Sequence, residues 1–452
     1  MSLATAKPTS AVIVGLGKTG LSCARHLHAL GWRLAITDTR AQPPELARLR
    51  ALFPEIPVRA GGLDSSLLEQ AAYVVASPGI SLADPFFVEA RARGLEIVGD
   101  IEVFARAADA PVVGITGTNG KSTVTTLVGR MAERAGLKVR VGGNLGEPAL
   151  DLLAAAHRDT QTTQLYVLEL SSYQLETTTS LDLQAATVLN VTPDHLDRYA
   201  SIAEYAEAKS RIFSRCDTAI INLDDPLVIE MPRPGQRTLS FSLRAAIGAD
   251  YAVASHGSEW FLTQRGQPLM SLSEMKIKGL HNAANALAAL ALGEALGLPV
   301  EVMLAELRSF SGLPHRSQWV ADVKGVTYVN DSKGTNVGAT LAAVSGMQGP
   351  LIMIAGGDGK NQDFTPLAAA FRGKVRHTIL IGRDGPAIAQ ALDGVCSVET
   401  CRTLEEAVKV AARAARSGDT VLLSPACASL DMFKDYTHRG AVFTQAVKEL
   451  AA

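Results

Sequence analysis

Short apolar runs alternate with longer stretches of helical periodicity along almost the whole chain. Ala11–Val14 is such a run, followed by Gly15-Leu16-Gly17-Lys18-Thr19-Gly20 and a helical pattern from Leu21 to Leu30. Further runs lie at Arg33–Thr37, ending at Asp38, and at Tyr73–Ala76, ending at Ser77-Pro78-Gly79. A second group opens with Pro111–Ile115 and continues at Leu165–Leu168, Ala186–Leu189 and Thr218–Ile221. Between about Arg237 and Leu272 short strands with Gly turns predict a small antiparallel insert, and a strong helix follows from about Asn282 to Leu296. A third group lies at Val326–Val329, Leu351–Ile354, His377–Ile381 and Thr420–Leu423. Continuous apolar runs separated by helices predict parallel sheets buried on both faces. Gly312 and Pro314 interrupt regular structure, which makes Leu313-Pro314-His315-Arg316 the expected hinge.

At 452 residues the chain has room for about three domains. A net charge of −2 gives no electrostatic reason to expect nucleic acid or an anionic membrane as partner. No run approaches the ~20 apolar residues of a membrane span. The run Ala11–Gly17 is too short for a signal-peptide core and is followed by Lys18. Five scattered cysteines without a C-x-x-C pair point to reduced thiols, so a cytoplasmic protein is expected.

The chemistry is concentrated in loops after the apolar runs. Gly117-Thr118-Asn119-Gly120-Lys121-Ser122-Thr123 sits between a predicted strand and a predicted helix, Thr123 to Ala135. That layout surrounds phosphates with backbone N–H groups, brings a Lys to the terminal phosphates and offers a hydroxyl to Mg²⁺. The general pattern G-x-x-x-x-G-K-S/T is broken, because Ile115 stands where the first Gly belongs. The first Gly-rich loop, with Asp38 eighteen residues beyond Gly20, fits a dinucleotide fingerprint. A UDP-sugar offers the same diphosphate and ribose, and a tight turn without ligand has the same sequence. Glu169 ends a strand run beside the phosphate loop, where it would hold Mg²⁺ or cap a helix. His195, in Asp194-His195-Leu196-Asp197-Arg198-Tyr199, is a metal ligand or part of a surface turn. Lys209 lies in a helical charge pattern that predicts a solvated side chain. Asn282 and Asn285 share a face at a helix start, suited to a base edge, although capping explains Asn282 equally well. Arg316, the loop 330–336, the loop 356–360 and the loop 424–429 follow strands of the third group and together suggest a ligand face.

In this order the motifs GLGKTG (15–20), DTR (38–40), SPGI (77–80), GTNGKST (117–123), GGNLG (142–146), LELSSYQLE (168–176), DHLDRY (194–199), EAKSRIF (207–213), GLHNAANALAA (279–289), LPHR (313–316), NDSKGTN (330–336), GGDGK (356–360) and SPACASLDMF (424–433) resemble the Mur ligases, nearly end to end. The resemblance implies an α/β fold of three domains. These are a Rossmann-like N-terminal domain (1–99), a central domain with a P-loop ATPase-type parallel sheet and a small antiparallel insert (100–312), and a C-terminal Rossmann-like α/β domain (313–452). It implies a UDP-substrate site at Lys18, Thr19, Asp38, Thr39, Arg40, Ser77, Gly79, Asn144 and His195. It implies ATP binding by Gly117, Thr118, Asn119, Gly120, Lys121, Ser122 and Thr123, with Asn282, Asn285, Arg316 and Asp331. Two Mg²⁺ ions are implied at Ser122, Glu169, His195 and Lys209, the last as a carbamate. Thr335, Lys360 and Ser429 match the D-glutamate pocket, with Tyr436 lining it, and Lys333 falls near the reacting phosphate. The catalytic set is then Lys121, Glu169, His195, Lys209 and Lys333. The family's own form of the loop, GTNGKS/T, accounts for Ile115. Tyr436 and Ser317-Gln318 depart from the family pattern.

The implied reaction joins D-glutamate to UDP-N-acetylmuramoyl-L-alanine through an acyl phosphate, with release of ADP. The expected partners are these small molecules, with no nucleic acid or membrane, and a monomer is expected. Another amino-acid-adding Mur ligase and an NAD-dependent dehydrogenase are the alternatives. The second leaves Gly117–Thr123 unexplained, and a third reading, a transport or regulatory ATPase, predicts hydrolysis without an acceptor.

Overall fold

The structure, a computed structural model, describes residues 9–451 except 160–161, 195–197, 245–247, 258, 278 and 348. The apolar runs become the strands of three sheets. The first contains β1 (Ser10–Val14), β2 (Arg33–Asp38), β3 (Val58–Ala60), β4 (Tyr73–Ala76) and β5 (Glu96–Gly99), all parallel, in the order β3-β2-β1-β4-β5. The second contains β6 (Val112–Thr116), β7 (Val139–Gly143), β8 (Leu165–Glu169), β9 (Leu183–Val188), β10 (Cys216–Asn222), β11 (Arg237–Ser242), β12 (Tyr251–His256), β13 (Glu259–Gln264) and β14 (Gln267–Ser271). Its order is β14-β13-β12-β11-β10-β9-β6-β8-β7. Here β11 and β12 still pair in parallel, and the antiparallel part consists of the hairpins β12–β13 and β13–β14. The stretch expected as an insert is therefore continuous with the central sheet. The third contains β15 (Gln318–Val323), β16 (Val326–Asn330), β17 (Leu351–Gly356), β18 (Val375–Ile381), β19 (Ser397–Thr400) and β20 (Thr420–Leu423), ordered β15-β16-β20-β17-β18-β19 with β15 antiparallel at the edge.

Each sheet has a point where the strand order reverses: between β1 and β4, around β6, and around β20. Loops at the carboxyl ends of strands diverge there and leave a crevice. The sequence motifs occupy these loops. GLGKTG and SPGI follow β1 and β4, GTNGKST and Glu169 belong to β6 and β8, and NDSKGTN, GGDGK and SPACAS follow β16, β17 and β20.

Of the helices, those that bear on the site are α1 (Lys18–Ala29), α2 (Asp100–Ala105), α3 (Lys121–Arg134), α4 (Ala149–Arg158), α5 (Ile202–Ser210), α6 (Leu280–Ala295), α7 (Val337–Gly346) and α8 (Tyr436–Ala451). α1 and α3 begin two or three residues before the periodicity predicts. The last residues of each Gly-rich loop already form the first helical turn, whose free N–H groups face the crevice. Gly20 is required for this in α1, because a Cβ there would stand 2.0 Å from the Gly15 carbonyl oxygen.

The packing ties the first sheet to the second. Leu16, Leu21 and Leu27 belong to one continuous buried cluster with Leu150, Leu153, Tyr166 and Leu168. Polar contacts reinforce the seam: Ser22 Oγ and Arg25 Nη2 donate to Asp151 of α4 at 2.9 and 2.6 Å. The third sheet has its own clusters, one on each face. A shared apolar core holds the first two units as one body, whereas the third has separate apolar clusters of its own.

Glu102 of α2 anchors the connection between the first two sheets. Its carboxylate accepts from Thr179 N, Ser180 N, Ser180 Oγ and Arg106 Nε at 2.7 to 2.9 Å. Burial raises its pKa, but these hydrogen bonds prevail and hold it below the ordinary Glu range. Its stabilisation is therefore present above the unfolded Glu value and is lost as pH falls through the folded one. Glu102→Ala leaves two backbone donors and the Arg106 Nε without their acceptor, while Arg106 keeps Glu96, and should cost about 3 kcal/mol in urea unfolding at pH 7. A loss below about 0.5 kcal/mol would show that the anchor lies elsewhere.

Candidate active site

The phosphate loop leaves β6 at Gly117 (φ +145°) and enters α3 at Gly120 (φ +86°). Only Gly adopts such backbone without strain. Gly120 also lacks room, since a Cβ would stand 2.4 Å from Asn285 Oδ1 of α6. Asn190, after β9, accepts from Asn119 N at 2.8 Å through its side chain and from Thr118 N at 2.9 Å through its carbonyl, fixing the loop from below. Lys121 folds back to donate to the Gly117 and Thr118 carbonyls at 2.7 and 3.0 Å. Burial pushes its pKa down, Glu169 opposes this, and Arg316 adds to it.

Glu169 ends β8 beside the loop. Its Oε2 accepts from Ser122 Oγ at 2.5 Å and its Oε1 from Asn144 Nδ2 at 2.7 Å. Arg316 reaches the same point from the hinge, donating to Ser122 Oγ at 2.8 Å. A hydroxyl, a carboxylate and a guanidinium from distant segments thus meet at one spot.

Lys209 overturns the expectation of a solvated side chain. It is 1% exposed, donates to the Gly117 carbonyl at 3.1 Å and lies 4.3 Å over the Tyr205 ring. Burial, then the neighbouring charge of Lys121, pushes its pKa well below the ordinary Lys value. Burial among these groups disfavours the charged ammonium relative to the neutral amine.

A cavity of about 310 Å³ opens beside the phosphate loop. Asn282, Asn285, Arg316, Asp331 and Lys333 line it together with Asn119, Gly120 and Thr123. Asn285 faces Gly120, so it lies against the phosphate loop as well as along the cavity. Asp331 accepts from Ser317 N and Ser424 Oγ at 2.9 and 2.8 Å, and burial pushes its pKa up to about 6. Lys333 lies 4.1 Å over the Tyr436 ring. Burial, then the Arg316 charge, pushes its pKa down to about 8. The hinge turns through His315 (φ +63°) and Ser317 (φ +44°). Ser317 and Gln318, where the family pattern varies, brace it by bonding Asp331 and the His315 N–H.

Thr335, Lys360 and Ser429 lie on loops after the adjacent strands β16, β17 and β20. A bridge between Asp358 and Ala428 ties the last two loops together. Ser429 is buried and Lys360 exposed. Arg439 of α8, which no motif singled out, is fully buried and holds all three loops. It donates to Ser332 Oγ at 3.0 Å, Ser332 O at 2.8 Å, Cys427 O at 3.1 Å, Ala428 O at 3.3 Å and Gly356 O at 3.5 Å. In the sequence it looks like one more basic residue of an amphipathic helix.

At the first sheet, Lys18 and Thr19 open α1, while Thr39, Arg40 and Gly79 are exposed at the strand ends. Asp38 is 0% exposed, and its oxygens accept from Leu16 N at 2.6 Å and from Arg40 N, Nε and Nη2 at 2.7 to 2.9 Å. A dinucleotide fingerprint uses this acid to accept ribose hydroxyls. Here it orients Arg40, which projects to the crevice. Ser77 Oγ donates to the Gly15 carbonyl at 3.1 Å. His195 lies outside the described residues.

The donors around Ser122 suit Mg²⁺. Among the described residues no group of three or more His, Cys, Asp and Glu side chains forms a metal-binding cluster. One carboxylate and one hydroxyl at a phosphate loop is the sparse oxygen set of an ion that keeps its waters and shares a nucleotide's phosphates.

The fold and site define a nucleotide-dependent ligase built of three α/β units. Family models cover most of the chain: the MurD-like N-terminal domain of Mur ligases matches residues 9–99, the Mur ligase middle domain 115–293, and the glutamate ligase domain of Mur ligases 315–427. The chain belongs to the Mur ligase family. It is 50% identical over 440 residues to the UDP-N-acetylmuramoylalanine–D-glutamate ligase of Methylococcus capsulatus, covering 97% of this chain and 95% of that one. It is also 50% identical over 444 residues to the enzyme of that name from Pseudomonas aeruginosa, covering 97% and 98%. Among solved structures it shares its fold with the MurF ligase of Thermotoga maritima in complex with ADP (TM-score 0.61, 17% identity, 99% and 97% covered). It shares it also with the UDP-N-acetylmuramate-alanine ligase MurC of the same organism (TM-score 0.60, 18% identity, 97% and 99% covered).

Gly120→Ala should weaken binding of a non-hydrolysable ATP analogue at least about 30-fold by calorimetry, a ~2 kcal/mol effect of strain plus collision with Asn285. Unchanged affinity would mean that nucleotide does not use this loop.

Proposed function

We propose that this chain adds D-glutamate to UDP-N-acetylmuramoyl-L-alanine, converting ATP to ADP and phosphate, as a step of peptidoglycan precursor synthesis. The observation that carries this is the meeting of Ser122, Glu169 and Arg316 at the head of a phosphate loop, in a chain half identical end to end to D-glutamate ligases. The units divide at residues 1–99, 100–312 and 313–452, which hold the UDP substrate, ATP and the amino acid. The enzyme acts as a cytoplasmic monomer; among the described residues no helix is long and apolar enough to cross a membrane.

A carboxylate and an amine do not condense in water without activation. The substrate carboxylate attacks the γ-phosphorus of ATP, giving an acyl phosphate and ADP; the neutral amine of D-glutamate then attacks the acyl carbon, and phosphate leaves. Two anions must approach in the first step, so cations placed in advance contribute most. Lys121 and Arg316 flank the phosphates, with Lys333 beside the transferred group. Gly117 to Thr123 cradle the phosphates through backbone N–H groups, and Asn282, Asn285 and Asp331 hold the rest of the nucleotide. Mg²⁺ supplies charge neutralisation on phosphate oxygens; Ser122 and Glu169 would hold one ion, and His195 with Lys209 a second. Lys209 serves there as a carbamate: its neutral amine adds to CO₂ and releases a proton, turning a cation into an anionic oxygen ligand. Lys18, Thr19, Thr39, Arg40, Ser77, Gly79, Asn144 and His195 hold the UDP substrate, with Asp38 keeping Arg40 in place. Thr335, Lys360 and Ser429 bind D-glutamate, lined by Tyr436. The third unit closes over the central one, because nucleotide contacts come from both.

ADP should appear only when ATP, UDP-N-acetylmuramoyl-L-alanine and D-glutamate are all present, and replacing D-glutamate by L-alanine, L-lysine or meso-diaminopimelate should stop it. Equal ADP release without the two acceptor substrates would end the ligase assignment. The pH profile tests Lys333. Its charge is lost as pH rises through about 8, so kcat/KM for ATP should fall about tenfold per pH unit above that value. Lys333→Arg, which stays charged, should flatten this limb; an unaltered limb would assign it to another group.

A further inference from the structure

The helix α7 of the third unit rests on the central unit along its length. At its start, Asn336 caps it by accepting from Ala339 N at 2.8 Å and donates to Asp194 Oδ2 of the central unit at 3.4 Å. Gly338 faces Thr192, whose Oγ1 would be 3.6 Å from an added Cβ. At its far end, Gly346 abuts His281 at the start of α6. A Cβ on Gly346 would stand 2.6 Å from His281 Nδ1 and 3.2 Å from the Leu280 backbone nitrogen. Gly279 completes the contact from below, since its own Cβ would stand 2.9 Å from His281 Cε1 and 3.0 Å from the Gly346 carbonyl oxygen. The other ring nitrogen, Nε2, lies 3.2 Å from Ser317 Oγ at the hinge. The imidazole therefore touches three things at once: its own helix, the hinge and the end of α7.

This contact also shapes the nucleotide cavity. His281 and Ser317 line it together with Ala339, Ala342 and Ala343 of α7. Whatever sets the distance between α6 and α7 sets the width of the cavity. We infer that His281 and Gly346 form the docking joint of the third unit, and that His281 is a positioning residue which fixes how closely α7 approaches bound nucleotide. The joint deepens the ATP-dependent reading and rests on it. Its physical logic is that of a hard stop. A planar, half-buried ring is a rigid spacer, and a glycine opposite it lets the helix end come to backbone contact. A single methyl group there would prevent closure without touching any ligand, because packed interfaces have no slack for an added carbon.

Gly346→Ala isolates this effect. Gly346 lies at the end of a helix and its φ is outside the left-handed region, so alanine meets no backbone strain and favours the helix. The test is a cycle of four proteins, the parent, Gly346→Ala, His281→Ala and the double variant, assayed for ADP formation with both acceptor substrates over a range of ATP. Gly346→Ala is expected to raise KM for ATP about tenfold, the low end for overpacking, with the melting temperature of the free protein unchanged or slightly higher. In the His281→Ala background the same substitution should change KM less than about twofold, because the ring it collides with is gone.

An equal fold-change in both backgrounds, or none in the parent, would overturn the joint. So would a fall in melting temperature by several degrees, which would place the clash inside the third unit and not between units. A parent enzyme that makes no ADP would instead defeat the ATP-dependent reading itself, and binding of a non-hydrolysable ATP analogue to the four proteins would still report on the joint.

Discussion

Four basic side chains crowd around one crevice, where burial and their neighbours disfavour the charge of the lysines. Lys121, Lys209, Lys333 and Arg316 come from the phosphate loop, a helix of the central unit, a loop of the third unit and the hinge. Arg316 depresses the pKa of Lys121 and of Lys333, and Lys121 depresses that of Lys209. A protein gains no stability from such an arrangement, so the structure must hold it by other means. Carbonyls of Gly117 and Thr118 accept hydrogen bonds from Lys121 and Lys209, aromatic rings lie under Lys209 and Lys333, and Glu169 faces Ser122 across the gap. Positive potential stored in this way is released by binding a polyanion. The triphosphate of ATP and the carboxylate it activates both supply that charge, which makes electrostatics the common cause of binding and of catalysis.

Holding the cations requires rigid support, and the three sheets provide it in the same manner each time. Strand order reverses once per sheet, the motif loops sit at the carboxyl ends beside the reversal, and glycine permits the close approaches. The first two sheets share an apolar core, so the first Gly-rich loop and the phosphate loop are fixed relative to each other. The third unit adds Arg316, Asp331 and Lys333 through polar contacts. The cavity beside the phosphate loop is thus lined from both the central unit and the third.

Much of this was legible in the sequence because it is local. Strands buried on both faces need continuous apolar runs, and phosphate cradles need glycines at fixed places before a helix. The phosphate loop, Glu169 at a strand end and the hinge at Pro314 follow from such rules. Where local rules met tertiary ones, they failed in instructive ways. Lys209 has charged neighbours along its helix, so periodicity predicts solvent, yet the face it occupies is turned to the phosphate loop. Asp38 matches a ribose-binding acid by spacing, yet its oxygens are already taken by Leu16 N and Arg40. Arg439 has no local signal at all, since its partners are carbonyls of residues ten to more than a hundred positions away.

The sequence by itself determined the parts: which segments are strands, which loops carry phosphate chemistry, and through the ordered motifs which family the chain belongs to. These depend on a residue's near neighbours, or on a pattern copied along the whole chain. Only the tertiary structure decided which side chains share a cavity, which carboxylates are already satisfied, and which lysines are stripped of water. Those properties depend on desolvation and on contacts between segments far apart in the chain, and no spacing rule encodes them. The meeting of Ser122, Glu169 and Arg316, separated by up to 194 positions, exists only once the second and third sheets are folded and set against one another.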